Sequence, residues 1–218
     1  MIEHYRLGVV RAKCSDSSKP NGFTHLPAVA IAIPNHDGTQ YFHKKRVRPW
    51  LPKEQQPDGY QAWSQYGIPA MAYHTHKPAT AKQTWLCEGE WDAILLGWAV
   101  RHSELKNDVQ VSCFTCGAGN FSPECRRDLS GEIITFYDLD EAGTKGVSKF
   151  QEKYPKITRI ATIPAPQDVP AGWDVSDAIN AGFGLEQFIK AASEAIAYEE
   201  PKTPNPLRDR LVINDEMV

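Results

Sequence analysis

The chain has 218 residues, 41% of them hydrophobic and 23% charged, with a formal net charge of −3. That length fits one sizeable domain or two small ones, and the composition is that of an ordinary globular protein. No apolar run approaches the ~18 residues of a membrane span, and Met1-Ile2-Glu3-His4-Tyr5-Arg6 lacks a signal-peptide pattern, so a cytoplasmic protein with no membrane partner is expected.

In chain order, Val29-Ala30-Ile31-Ala32-Ile33 is a β-rich run, Pro34-Asn35-His36-Asp37-Gly38 is turn chemistry, and Gln40-Tyr41-Phe42-His43 resumes a strand. The hairpin ends in a basic run, Lys44, Lys45, Arg46 and Arg48. In a net-acidic chain such a run is a local patch for phosphates or a solvated sheet edge. An irregular stretch rich in Pro and aromatics follows, and His74-x-His76 reads as a loop rather than a metal pair. Residues 1–81 are therefore expected to form a small, mainly β subdomain.

From residue 82 strands and helices alternate, which implies a parallel sheet with right-handed crossovers. Thr84–Cys87 is a strand, and 90–102 is a helix with Trp91, Ile94, Leu95 and Trp98 at helical spacing. Val109–Thr115 is a buried strand, a reading that also suits Cys113 better than a structural zinc site built on Cys113-x-x-Cys116. Gly117-Ala118-Gly119-Asn120 is a tight loop. Pro123–Leu129 is a short helix capped by Ser122. Glu132–Tyr137 is a strand, 142–153 a helix and Ile157–Ile163 a strand. Asp174-Val175-Ser176-Asp177 starts a short helix, and Leu185, Phe188, Ile189, Ala192 and Ile196 form the stripe of a last one. The second unit thus spans 82–198, and Pro-containing 199–218 reads as a flexible tail or linker.

Two acidic clusters carry the chemistry. Glu88-Gly89-Glu90-Trp91-Asp92 follows the first strand of the alternating region, and Asp138-Leu139-Asp140-Glu141-Ala142-Gly143 follows Ile133–Tyr137. Carboxylates gathered at strand ends stay ionised together only with a cation among them, and hard oxygen ligands suit Mg²⁺ or Mn²⁺. Asp138 and Asp140, two residues apart, are expected to face one crevice. Asp92 sits in the first helical turn, and Gly89 and Gly143 allow sharp turns. An acidic helix cap without catalysis accounts for either cluster alone, but less well for both. No GxxxxGK[ST] phosphate loop, dinucleotide fingerprint or GxSxG elbow is present.

The pair Glu88-Gly89-x-x-Asp92 and Asp138-x-Asp140-x-Ala142-Gly143 resembles the signature of the Toprim fold, shared by bacterial-type and phage primases, type IA and II topoisomerases and some nucleases. The match covers roughly 82–163. The upstream hairpin with its basic run, the stretch Tyr60–Tyr73, and Asp174-x-x-Asp177 are similar to segments of DnaG-type and phage primases. The resemblance implies an α/β fold, a Toprim domain with a parallel sheet flanked by helices behind a small mainly β basic subdomain. It implies metal-dependent synthesis of short RNA primers on single-stranded DNA from NTPs, with a replicative helicase as a further partner. Asp138 and Asp140 would hold Mg²⁺ or Mn²⁺, and Glu88 would act as catalytic acid/base or as a third metal ligand. Lys44, Lys45, Arg46 and Arg48 would contact phosphates, with Gly89, Asp92, Gly143, Asp174 and Asp177 in support. A Toprim metal-dependent nuclease and a non-catalytic nucleic-acid-binding module are the alternatives. The chain shows no zinc ribbon and no Walker A motif.

Overall fold

A computed structural model describes residues 1–35, 41–47, 51, 69–117, 119–170 and 172–197, without the side chains of 15 and 41–43. Arg48 and the expected tail at 199–218 lie outside these residues, as does most of the turn after Pro34.

Two sheets make the fold. The first is antiparallel and holds β1 (Leu7–Ser15), β2 (Phe23–Pro34) and β3 (Tyr41–Val47) in that order. The expected hairpin is the pair β2–β3, with Ile31 opposite Lys44 and Val29 opposite Arg46. Strand β1 is an addition to the sequence reading. Its inward residues Ala12 and Cys14 are small, and outward Val9 is 77% exposed, so its apolar alternation is weak.

The second sheet has six strands in the order β4-β6-β5-β7-β8-β9. Strands β5 (Gln83–Cys87), β6 (Val109–Phe114), β7 (Glu132–Phe136) and β8 (Thr158–Ile160) run parallel. Strands β4 (Ala72–His76) and β9 (Ile196–Ala197) close the two edges antiparallel, so the sheet is mixed rather than wholly parallel. The central strands are short apolar runs because both faces are covered. Trp85, Cys87, Ile134 and Phe136 face one side. Leu86, Ile133 and Tyr137 face the other. Each such large side chain contributes about 1.5–3 kcal/mol by leaving water.

On the first face lie α1 (Glu90–Arg101), α4 (Val175–Asn180) and α5 (Leu185–Ser193). On the second lie α2 (Pro123–Arg127) and α3 (Glu141–Lys153). Helix α1 packs so close to β4 that a Cβ at Gly97 would sit 2.2 Å from Thr75 Oγ1. That hydroxyl donates to Ala93 O at 2.6 Å.

Three expectations are corrected. His74 and His76 belong to strand β4 and not to a loop: His74 Nδ1 lies 2.8 Å from Ser112 Oγ, and His76 Nε2 lies 2.7 Å from Lys106 O. Through this strand the six-stranded sheet takes in Ala72–His76. Ile196 leaves the last helix for β9, where it is 71% exposed, because Arg159 Nε holds Ala195 O at 2.9 Å and turns the chain onto β8. Strand β8 spans only Thr158–Ile160 of the run expected at 157–163.

The small sheet is docked on the large unit, since Ile31 and Ile33 of β2 and Tyr5 before β1 enter the main core. No helix among the described residues is long and apolar enough to cross a membrane.

Candidate active site

Strand β5 pairs with β6 on one side and β7 on the other, with Cys87 level with Phe136. The chain leaves β5 through α1 towards β6, and leaves β7 through α3 towards β8. These exits diverge between two adjacent strands. A crevice opens there, at the carboxyl ends, as it does at the switch points of open α/β sheets. Glu88 follows β5 directly, and Asp138 and Asp140 follow β7.

A cavity of about 640 Å³ occupies this place. Its walls include Glu88, Gly89, Glu90, Trp91 and Asp92 after β5, and Asp138 and Asp140 after β7. Asp174, Ser176, Asp177 and Asn180 enter from the α4 segment, and Lys44, Lys45 and Arg46 from β3. The two clusters and the Asp174-x-x-Asp177 segment thus converge. Gly143 stands directly behind the wall: a Cβ there would lie 2.2 Å from Asp138 O and 3.0 Å from Glu88 Oε2.

Asp138 and Asp140 reach the cavity through a turn and not along one strand face. Asp140 N donates to Asp138 O at 2.8 Å, and Leu139 N to Trp173 O at 2.9 Å. Leu139 packs against the main core, away from the cavity. Asp140 also caps α3, its Oδ1 accepting from Gly143 N at 2.8 Å. Glu88 Oε2 accepts from Asp138 N at 3.3 Å, which ties the two clusters together. Asp92 is buried, and its Oδ1 takes both Ser176 N at 3.0 Å and Ser176 Oγ at 2.6 Å. Asp174 caps α4 by accepting from Asp177 N at 2.7 Å.

Among the described residues seven carboxyl side chains line the cavity against three cations. One cation is already committed: Lys44 Nζ lies 3.0 Å from Glu90 Oε1 and donates to Thr115 O at 2.8 Å. Lys45 and Arg46 are left to face the other acids, and Arg46 acts on Asp92. Burial, then the charges of Glu88, Asp92, Asp174 and Asp140, push the Asp138 carboxyl up to about 8. Burial and Asp174 push Asp92 up to about 7, opposed by Ser176 and Arg46. Glu88 is raised by burial and by Asp140 and Asp174, against the Asp138 amide that lowers it. Burial and crowding thus make each of these three carboxyls hold its proton more tightly than usual when no cation lies among them.

Among the described residues no three His, Cys, Asp or Glu side chains form a ready metal cage. The acids instead make an open wall of oxygen donors, with no histidine or cysteine among the described lining residues. That set suits a hard cation that retains waters and shares substrate phosphates, the habit of Mg²⁺, better than a closed protein site. Glu90, Trp91, Ser176 and Asn180 line the cavity in addition to the residues expected there. Glu90 was visible as a third acid in the first cluster, but its partner Lys44 and the Ser176 tie to Asp92 bridge segments with no local signal.

The sequence matches no protein-family model and no curated protein. Solved structures do match. The primase fragment of the bacteriophage T7 primase-helicase aligns with TM-score 0.57 at 16% identity, over 87% of this chain and 67% of that one. A DnaG primase catalytic domain bound to single-stranded DNA gives 0.56 at 14%, over 90% and 67%. A DNA primase domain from Pseudomonas aeruginosa gives 0.55 at 18%, over 84% and 56%. The chain has the fold of these primase structures and spans 56% to 67% of the length of the three.

Proposed function

We propose that this chain is a primase-type, metal-dependent nucleotidyltransferase of the Toprim kind, which joins ribonucleotides on a single-stranded DNA template. The observation that carries the reading is the acid-lined crevice between β5 and β7 facing Lys45 and Arg46, within a primase-type fold. Mg²⁺ or Mn²⁺, held by Asp138 and Asp140, would supply charge neutralisation for the triphosphate and the attacking hydroxyl.

The chain's own residues do the rest. Lys45 and Arg46 bind phosphate oxygens, which gives position and affinity without reading bases. Lys44 holds β3, and with it these cations, against the start of α1 through Glu90. Asp92, fastened to Ser176, keeps the α4 segment and its acids on the cavity. A 3′-hydroxyl attacks the α-phosphorus of the incoming nucleotide, the bond to the bridging oxygen breaks, and pyrophosphate leaves. Glu88 takes the hydroxyl proton, burial and the neighbouring Asp140 and Asp174 having raised its affinity for one.

The test is synthesis of labelled RNA from NTPs on homopolymer and mixed single-stranded templates with Mg²⁺ or Mn²⁺. Product is expected, and Glu88→Gln should lower its rate by about 10²–10⁴ while template binding persists. If Glu88→Gln also weakens Mn²⁺ binding, Glu88 is a metal ligand. Cleavage of labelled DNA in place of synthesis means a nuclease, and DNA binding with neither reaction means a binding module.

A further inference from the structure

The carboxylate cavity borders a second, basic depression. Gly117 lines the cavity, and Asn120 N donates to Gly117 O at 3.2 Å across the turn after β6. Beyond that turn lies a hollow of about 480 Å³ whose walls include Gly119, Asn120, Phe121, Lys149 and Lys153. It abuts the active site along the loop side, where β3 has no part in its walls.

The two lysines are exposed and four residues apart on α3, so they stand on one helix face about 6 Å apart along the axis. Lys149 Nζ donates to Gly119 O at 3.0 Å, which draws it over the turn. Lys153 Nζ lies 5.2 Å from the centre of the Phe121 ring and 5.7 Å from that of Tyr154. Phe121 is itself fixed against Phe114 and Phe150, with ring centres 5.6 and 4.9 Å away. An aromatic support under an exposed ammonium sets its position while leaving its charge to solvent. Among the described residues the walls of the hollow hold these two cations and no acid. A solvated helix face would need neither the turn contact nor the ring contact.

We propose that Lys149 and Lys153, on their support of Gly119 and Phe121, form a second phosphate-binding subsite that takes the backbone of single-stranded DNA where it leaves the carboxylate cavity. The strand would run from Lys45 and Arg46 past the carboxylates, by Gly117 and Asn120, and onto α3. This rests on the primase-type reading for the identity of the strand, but on the geometry above for its path.

The experiment compares fluorescence anisotropy of two labelled oligothymidylates. One is about 5 nucleotides long, enough for the cavity alone; the other is about 20, longer than a typical single-strand site of about 4–16. The wild type should bind the long probe more tightly. Lys149→Ala with Lys153→Ala should abolish that gain and flatten the salt dependence for the long probe by about 1.4 in slope, 0.7 for each phosphate that is no longer neutralised. Binding of the short probe should be unchanged, and Lys149→Arg with Lys153→Arg should keep the gain. Should the alanine variant melt early, Lys149→Gln with Lys153→Gln, which retains the aliphatic stems, carries the same test. A length gain that survives removal of both charges overturns the proposal, and so does a wild type with no gain or no binding. A wild type that shows the gain but never makes RNA sinks the polymerase reading and leaves this subsite standing.

Discussion

Lys44 of β3 and Glu90 of α1 form a nearly buried ion pair, 3.0 Å apart with side chains 15% and 7% exposed. The pair joins the small sheet to the helix that starts at the candidate active site. Burial raises the Glu90 carboxyl, and Lys44 is the main group opposing that rise. Lys44→Ala is expected to cost about 3–5 kcal/mol, because it strands a buried carboxylate. Lys44→Met with Glu90→Leu should recover most of that loss. Urea denaturation midpoints check both, and equal midpoints for the single and double variants would show that the pair does not hold the sheet in place.

Gly143 is the residue on which both acidic clusters close. Its hydrogen faces Asp138 O and Glu88 Oε2 where a methyl group has no room. Gly143→Ala should destabilise by about 1–3 kcal/mol, as overpacking does, and displace Glu88 from the Asp138 amide. RNA synthesis should fall far more than binding of single-stranded DNA. A variant with wild-type melting temperature and wild-type rate would mean that the loop after β7 yields freely.

Asp138→Asn with Asp140→Asn removes two carboxyl groups from the cavity wall. Mg²⁺ or Mn²⁺ affinity should drop sharply and RNA synthesis should disappear, since a hard cation requires ionised oxygen donors. Without metal, at a pH above about 8 where Asp138 is ionised, the double variant should melt at or above the wild type, because burial of that charge and its repulsion with Glu88, Asp92 and Asp174 are relieved. Titration calorimetry with Mn²⁺ and thermal melts in chelator decide it; retained Mn²⁺ affinity would move the metal elsewhere.

The metal-free protein should lose stability as pH rises from about 4, the ordinary carboxyl range, to about 8, where burial and like charges set Asp138. Within that window the folded chain keeps a proton that the unfolded chain has released, so folding is favoured on the acid side. His4 and His76, lowered by burial and by Arg101 among others, act in the opposite sense around their ordinary range. The readout is therefore the difference between wild type and Asp138→Asn, measured as melting temperature against pH in chelator. That difference should turn against the wild type as pH rises, and saturating Mg²⁺ should reverse the loss. A difference that is flat across the window would mean Asp138 is not held protonated.

The sequence by itself determined the central strands and the ends at which their acids lie. Trp85–Cys87, Val109–Phe114 and Ile133–Phe136 are covered on both faces, so their apolar character is local and legible. Glu88 and the Asp138–Asp140 pair follow such runs, and that adjacency survives folding whatever the sheet does. Tertiary structure decided what depends on partners distant in the chain. Strand β4 carries His74 and His76 because Ser112, Gln110 and Lys106 satisfy them. Strands β1 and β9 are edges whose pairing, not composition, makes them strands. Lys44 reads in sequence as one of four equivalent surface cations, yet it reaches Glu90 and Thr115 inside the molecule. Asp92 meets Ser176 84 positions away. Hydrophobic periodicity reports burial along one segment; it carries no term for which charged group another segment will bring alongside, and at this site those charges set the chemistry.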